Sequence, residues 1–301
     1  MNNKHLFFFI FIFFSIHISH AGTTEFKAIT TPKTIEPLTF YEATKKLKWE
    51  FGAVAGGAIY LGLKTWNWGS RNSFKFNNEG WFGTNTGSAG SDKLGHLYSS
   101  YLINEFFTKS LMQKTDNKLD AAKWSALFST SIMLMVEVFD GYSVDHGFSY
   151  EDLISNSVGI GISYLKNTVP NLDEKLDLRV EYLPTYAPHN KHPVTDYSGY
   201  KYIASLRLAG FEKLKKTPLK YLELQVGYHA EGFKHNENRY YDAKMSEVYF
   251  GISLNLTELL FNPIRKHTSS PLVDYVDTFT RYYQIPGTYV STPIHRRTIQ
   301  Y

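Results

Sequence analysis

Apolar residues recur at helical spacing along four stretches of the chain and at a spacing of two after them. The helical stretches are 41–66, 92–114, 119–139 and 150–167, with Pro170 stopping the last. Beyond Pro170 the period changes: Leu176, Leu178, Val180 and Tyr182 alternate with Asp177, Arg179 and Glu181, the pattern of a strand. Segments 200–208, 219–228 and 248–256 repeat it, separated by turn-rich sequence around Gly199, Pro218 and Asn236 to Asn238. The predicted fold class is therefore α+β, a compact apolar four-helix bundle (41–168) followed by a four-stranded antiparallel sheet (171–261) packed on it. The tail, 262–301, is rich in Pro and Tyr and reads as irregular.

No predicted helix holds the roughly 20 uninterrupted apolar residues of a transmembrane span. Stretch 119–139 comes closest, with Lys123 at one end and Glu137 near the other. Gly52, Gly56 and Gly57 in the first helix permit close helix–helix approach. Between the first two helices, 69–91 is rich in Gly, Asn and Ser and carries Trp81-Phe82, read as a lid or as a patch that packs over the bundle.

The N-terminus changes the compartment. Lys4, the apolar run 6–18 and Ser19-His20-Ala21 make 1–21 a secretory signal peptide, with 22–40 a Thr- and Pro-rich leader arm. The chain has no cysteine, which excludes disulfides, thiolate chemistry and a lipoprotein-type export signal. A formal charge of +4 is too balanced for nucleic acid, so none is expected as a partner. The 22 Tyr and 22 Phe fit a membrane interface, or a bias toward Phe, Ile, Asn and Lys. The expected location is the periplasm or outer membrane of a diderm bacterium, with an envelope lipid or membrane surface as partner.

Three polar pairs interrupt the apolar helices: Asp92 and His96, Glu137 and Asp140, Asp152 and Asn156. Spacings of three and four residues put the members of each pair on one helix face. Glu137, inside Met133-Leu134-Met135-Val136-Glu137-Val138-Phe139, demands a proton, a cation or a partner, because an uncompensated buried carboxylate costs several kcal/mol. The bland readings differ by residue. Asp92 suits a helix start, Asp140-Gly141 a helix end, and Ser149 with Asp152 a capping box; His96 is a satisfied core histidine or an oriented base. Lys93 neutralises a carboxylate or faces solvent. Asn156, among Leu153, Ile154, Val158 and Ile160, is not explained by capping, and Gly159 and Gly161 suggest close packing beside it.

The strings Ser91-Asp92-Lys93-Leu94-Gly95-His96, Glu137-Val138-Phe139-Asp140-Gly141 and Gly147 through Gly159 together resemble the YfiM-like family of putative periplasmic lipoproteins, a domain of unknown function. The order Asp-Lys-x-x-His, Glu, Ser-x-x-Asp-x-x-x-Asn-x-x-Gly is also similar to VanZ-like membrane proteins. The resemblance covers about residues 50–167 and implies an envelope location and a helical core, with no activity attached. The missing cysteine departs from the lipoprotein label.

Two functions follow from this reading. One is an exported envelope protein with a buried Asp/His/Glu/Asn centre, serving envelope maintenance or binding. The alternative is a hydrolase or transferase acting on an envelope lipid or glycan precursor. There Asp92, His96, Glu137, Asp140, Asp152 and Asn156 are the candidate catalytic residues, and His96, Glu137 and Asp140 the candidate ligands of a divalent cation. No G-x-S-x-G, H-E-x-x-H or P-loop decides between them.

Overall fold

The computed structural model describes residues 36–185, 193–234 and 237–301. The signal peptide and nearly all of the leader arm lie outside the described residues. Four long helices come first: α1 (Phe40–Thr65), α2 (Ser91–Met112), α3 (Lys118–Asp140) and α4 (Tyr150–Thr168). Their starts are written locally. Thr39 and Glu42 form a reciprocal capping box on α1, Asn117 caps α3 by accepting from the Asp120 amide, and Ser149 caps α4 by accepting from the Asp152 amide.

Small residues bring helices together, though at fewer places than the sequence suggests. Gly159 is where α4 meets α2, since a Cβ there would fall 2.0 Å from the Leu97 carbonyl oxygen. Gly52, Gly56, Gly57 and Gly161 face open space, and α1 makes its tight contact at Gly62, against the Trp68 ring. The core runs from Leu47 of α1 through Tyr98, Tyr101, Phe106, Phe107 and Leu111 of α2 to Phe128 and Ile132 of α3.

The strands β1 (Leu176–Tyr182), β2 (Tyr200–Arg207), β3 (Leu222–Glu231), β4 (Ala243–Leu254) and β5 (Tyr289–Gln300) form one antiparallel meander in chain order. Short helix α5 (Glu212–Lys215) lies between β2 and β3, while α6 (Asn262–Arg265) and α7 (Pro271–Thr280) precede β5. The sheet thus has five strands rather than four, and the tail from Asn262 is helix and edge strand rather than irregular. Its signal is weak because β5 carries Pro293, Arg296 and Arg297 and is exposed almost throughout, as an edge strand tolerates.

The sheet is also curled. Gln225 of β3 donates to Gln284 at 2.7 Å, yet Gln284 lies beyond β1, donating its backbone amide to the Val180 carbonyl. On a flat sheet about three strand spacings of ~4.8 Å would separate them. The Leu254 amide donates to the Thr288 carbonyl, so the segment from Tyr282 to Thr288 links the β1 edge to the start of β5. The inner face is mostly polar: Asp177, Arg179, Ser205, Glu223, Gln225 and Ser253 are buried there beside Ile203 and Tyr249. Arg179 grips the Glu223 carboxylate through two nitrogens at 2.6 and 2.9 Å, and Ser205 and Ser253 donate to the same group. The outer face is apolar, and its Leu178, Val180, Tyr200 and Tyr202 pack against the helical core.

Candidate functional site

Three helix ends and one loop assemble the polar centre. The first turns of α2 supply Asp92, Lys93 and His96, the last turn of α3 supplies Glu137 and Asp140, and the first turns of α4 supply Asp152 and Asn156. The 69–91 loop is tied down rather than free. The Asn77 amide donates to the Phe148 carbonyl at 2.9 Å, the Phe148 amide to the Lys75 carbonyl at 2.8 Å, and the Gly80 amide to Glu151 at 3.1 Å. Phe82 packs edge-on to Tyr228. This course carries Glu79 into the site.

Lys93 is the centre's resident cation. Its buried ammonium lies 2.5 Å from Glu79, 2.9 Å from Asp92 and 2.6 Å from Asp152. Burial opposes its charge, but Asp92, Asp152 and Glu79 more than offset that and hold its pKa above the ordinary lysine range. Asp92 also accepts from the Tyr197 hydroxyl at 2.6 Å. Burial pushes the Asp92 carboxyl up, yet His96 and Lys93 prevail and keep it below the usual range. Burial and the two neighbouring aspartates push Glu79 up to about 7.

His96 stands among three carboxylates with 20 % of its side chain exposed. Its Nε2 is 3.9 Å from Asp92 and 3.8 Å from Asp152, and its Nδ1 is 3.3 Å from Glu137 without hydrogen-bond alignment. Burial pulls the imidazole pKa down, and Asp152, Asp92 and Glu137 together raise it to about 9. Glu137 is fully buried and takes a 3.1 Å hydrogen bond from Asn156. Burial drives its carboxyl up to about 8 against the pull of His96. Three buried atoms around this contact have no hydrogen-bond partner among the described residues: His96 Nδ1, Glu137 Oε2 and Asn156 Oδ1.

The six sequence candidates therefore divide. Asp92, His96, Glu137, Asp152 and Asn156 converge on one site. Asp140 turns away to accept from the Trp68 indole at 2.6 Å, and burial raises its pKa. Capping accounts for Ser149 but not for the Asp152 carboxylate, which goes to Lys93 instead. Among the described residues, the groups within metal-holding reach are Asp92, His96 and Asp152, whose ligand atoms all lie within 4.8 Å of one another; Glu137 and Asp140 fall outside that set. A cation there would compete with Lys93 for Asp152 Oδ1 and with Tyr197 for Asp92 Oδ1. Glu79 and Tyr197 are members that sequence reasoning missed. Glu79 is a lone acid in a Gly- and Asn-rich loop, and Tyr197 comes from the connection between β1 and β2.

Comparison with known proteins adds a compartment and no reaction. No curated protein and no solved structure matches the chain. Residues 78–168, from the loop that carries Glu79 to the end of α4, match the model of a family described as predicted periplasmic lipoprotein (DUF2279), and the match supports an exported, periplasmic location.

Proposed function

We propose that this chain is an envelope protein whose polar centre binds the head of a small polar or amphiphilic molecule beside His96. The observation that carries the reading is the trio of unpartnered buried atoms on His96, Glu137 and Asn156. Buried polar atoms are normally bonded, so three orphans around one contact mark a place for a guest with complementary donors and acceptors. With its pKa near 8, Glu137 can donate or accept near neutral pH, and a protonated His96 donates. The adjacent Lys93 cluster is fully bonded and serves as the frame. The shared order of Asp-Lys-x-x-His, Glu and Asp-x-x-x-Asn supports the narrower likeness to YfiM-like and VanZ-like proteins, and the periplasmic face of the outer membrane is the location we favour. The 301 residues hold no cysteine to accept a lipid.

A second reading, a hydrolase or transferase on an envelope lipid or glycan precursor, draws on one feature. An imidazole and a carboxyl with strongly shifted pKa values face each other at 3.3 Å, as acid–base pairs do. One experiment addresses both readings: metal content and thermal shift of wild type, Glu137→Gln and Asn156→Ala, with glycerol 3-phosphate, N-acetylglucosamine, Mg²⁺ and Zn²⁺ as probes. Stabilisation by an organic probe that both variants lose supports binding. Stoichiometric metal that Glu137→Gln sheds supports the enzyme. No metal and no shift, with both variants less stable, would leave a purely structural network and refute the proposal.

A further inference from the structure

The curled sheet is built inside out for a protein surrounded by water. Many of its polar side chains point inward, where Arg179 bonds Glu223 and Gln225 bonds Gln284. Apart from Ile203 and Tyr249, which are buried on the inner face, most of its apolar side chains point outward. A row of Leu176, Leu206, Leu224, Ile252 and Val290 runs in register across all five strands, and the next row is Leu178, Ala204, Val226, Phe250 and Thr292. Sheets in water bury their apolar face and solvate the polar one. The reverse arrangement, polar within and apolar without, is that of strands facing lipid.

The helices cover only part of this outer face. They meet it at Val180 and Tyr202, and Phe82 covers Tyr228. Among the described residues nothing covers the remainder, with Val226 at 50 %, Ile252 at 40 % and Val290 at 74 % exposure. A basic rim borders this region at one end, where the β2–β3 connection carries Lys213, Lys215, Lys216 and Lys220 against the single acid Glu212. Exposed Leu219 lies between Lys216 and Lys220 on this connection. Apolar side chains next to lysines that can reach outward match the boundary between acyl chains and anionic head groups.

We infer that the outer face of the sheet lies on an anionic lipid bilayer, with Val226, Phe250, Ile252 and Val290 in the acyl boundary and Lys213, Lys215 and Lys216 at the head groups. Charge complementarity selects this occupant over a second copy of the chain, whose own lysine rim would repel it. None of these bilayer-facing residues belongs to the polar centre, so binding beside His96 and contact with lipid are independent properties of the chain.

The test is flotation of the full chain, diluted from mild detergent, with vesicles of phosphatidylglycerol and phosphatidylethanolamine or of phosphatidylcholine alone. Every comparison is between variants of the same chain, so the apolar run at 6–18 contributes equally throughout. Val226→Ser with Ile252→Ser is expected to weaken flotation with both kinds of vesicle. Lys213→Gln with Lys215→Gln and Lys216→Gln is expected to weaken it at least roughly tenfold with the anionic vesicles only. Both sets alter exposed side chains, so circular dichroism and unfolding midpoints should be unchanged. Failure of the wild type to float, or flotation unchanged in both sets, would overturn the inference. So would a lipid-free dimer in sedimentation velocity that the serine pair dissociates while flotation persists, which would assign the face to a second copy.

Discussion

Replacing Lys93 with Met tests the logic of the polar centre most directly. The substitution keeps the length and apolar stem of the side chain and removes an ammonium whose side chain is 4 % exposed. Three carboxylates lose their counter-ion at once, but they are not equally stranded. Glu79 and Asp92 retain 24 % and 16 % of side-chain exposure, whereas Asp152 retains 6 %. The first two can rehydrate or take up a proton, so the loss approximates one broken buried pair rather than three, about 3–5 kcal/mol near neutral pH. The pH dependence follows from the same argument. Glu79 is pushed up to about 7 even with Lys93 beside it, and without that ammonium it rises further, so the folded state binds more protons and the variant loses stability as pH increases. The deficit should be smaller at pH 5 than at pH 8 by at least about 1 kcal/mol. Urea unfolding at the two pH values, followed by tryptophan fluorescence, measures it; Trp68, bonded to Asp140 and stacked on Phe139, is a nearby reporter. A deficit below about 1 kcal/mol, equal at both pH values, would show that Lys93 does not compensate these acids and would refute the reasoning.

Further consequences can be checked with the same unfolding assay. Glu137 has a folded pKa raised from 4.5 to about 8, so its contribution is present below the unfolded value and lost as pH rises through 8; Glu137→Gln should flatten that decline and gain on wild type above pH 8. His96 is raised from 6.5 to about 9, so its contribution is full below 6.5 and fades through 9; His96→Gln should be more destabilising at pH 6 than at pH 10, and a constant difference would count against the ion-pair account. Arg179→Met should cost about 3–5 kcal/mol by stranding Glu223 inside the sheet. Gly159→Ala should cost more than about 1–3 kcal/mol, because its Cβ would meet backbone of α2 rather than a side chain that can move, and a neutral result would contradict that helix contact.

What the sequence made legible depends on how local each signal is. The helices announce themselves through period, caps and Pro170, and the first four strands through alternation, since each of these is a property of adjacent residues. Strand β5 is obscured because an edge position lets Pro293 and paired Arg296 stand where a central strand would need apolar residues. The site shows the same division. Asp92, His96, Glu137, Asp152 and Asn156 share helix faces within their pairs, so spacing alone proposes them. Glu79 and Tyr197 reach the site only through chain paths set by other contacts, the pairing of the 75–77 segment with Phe148 and the connection between β1 and β2. Capping also misdirects: Ser149 caps α4 with its own hydroxyl, freeing the Asp152 carboxylate for Lys93.

The sheet shows why period alone is insufficient for function. Alternation fixes which residues share a face without saying which face meets solvent, because a pleat is symmetric in that respect. For β1 to β4, the usual assumption would put Asp177, Arg179, Glu223 and Gln225 in water. The curl puts them inside, and it is seen only when Gln225 meets Gln284 from the far side of β1. Closing the strands on charged residues demands that every charge be matched, and the Arg179–Glu223 fork with its two serine donors does so. Once the polar face is spent internally, the apolar face is all the sheet has left to present. What surrounds it must therefore be helix, as at Val180, or something as apolar as helix, and among the described residues nothing of the kind covers Val226 and Ile252.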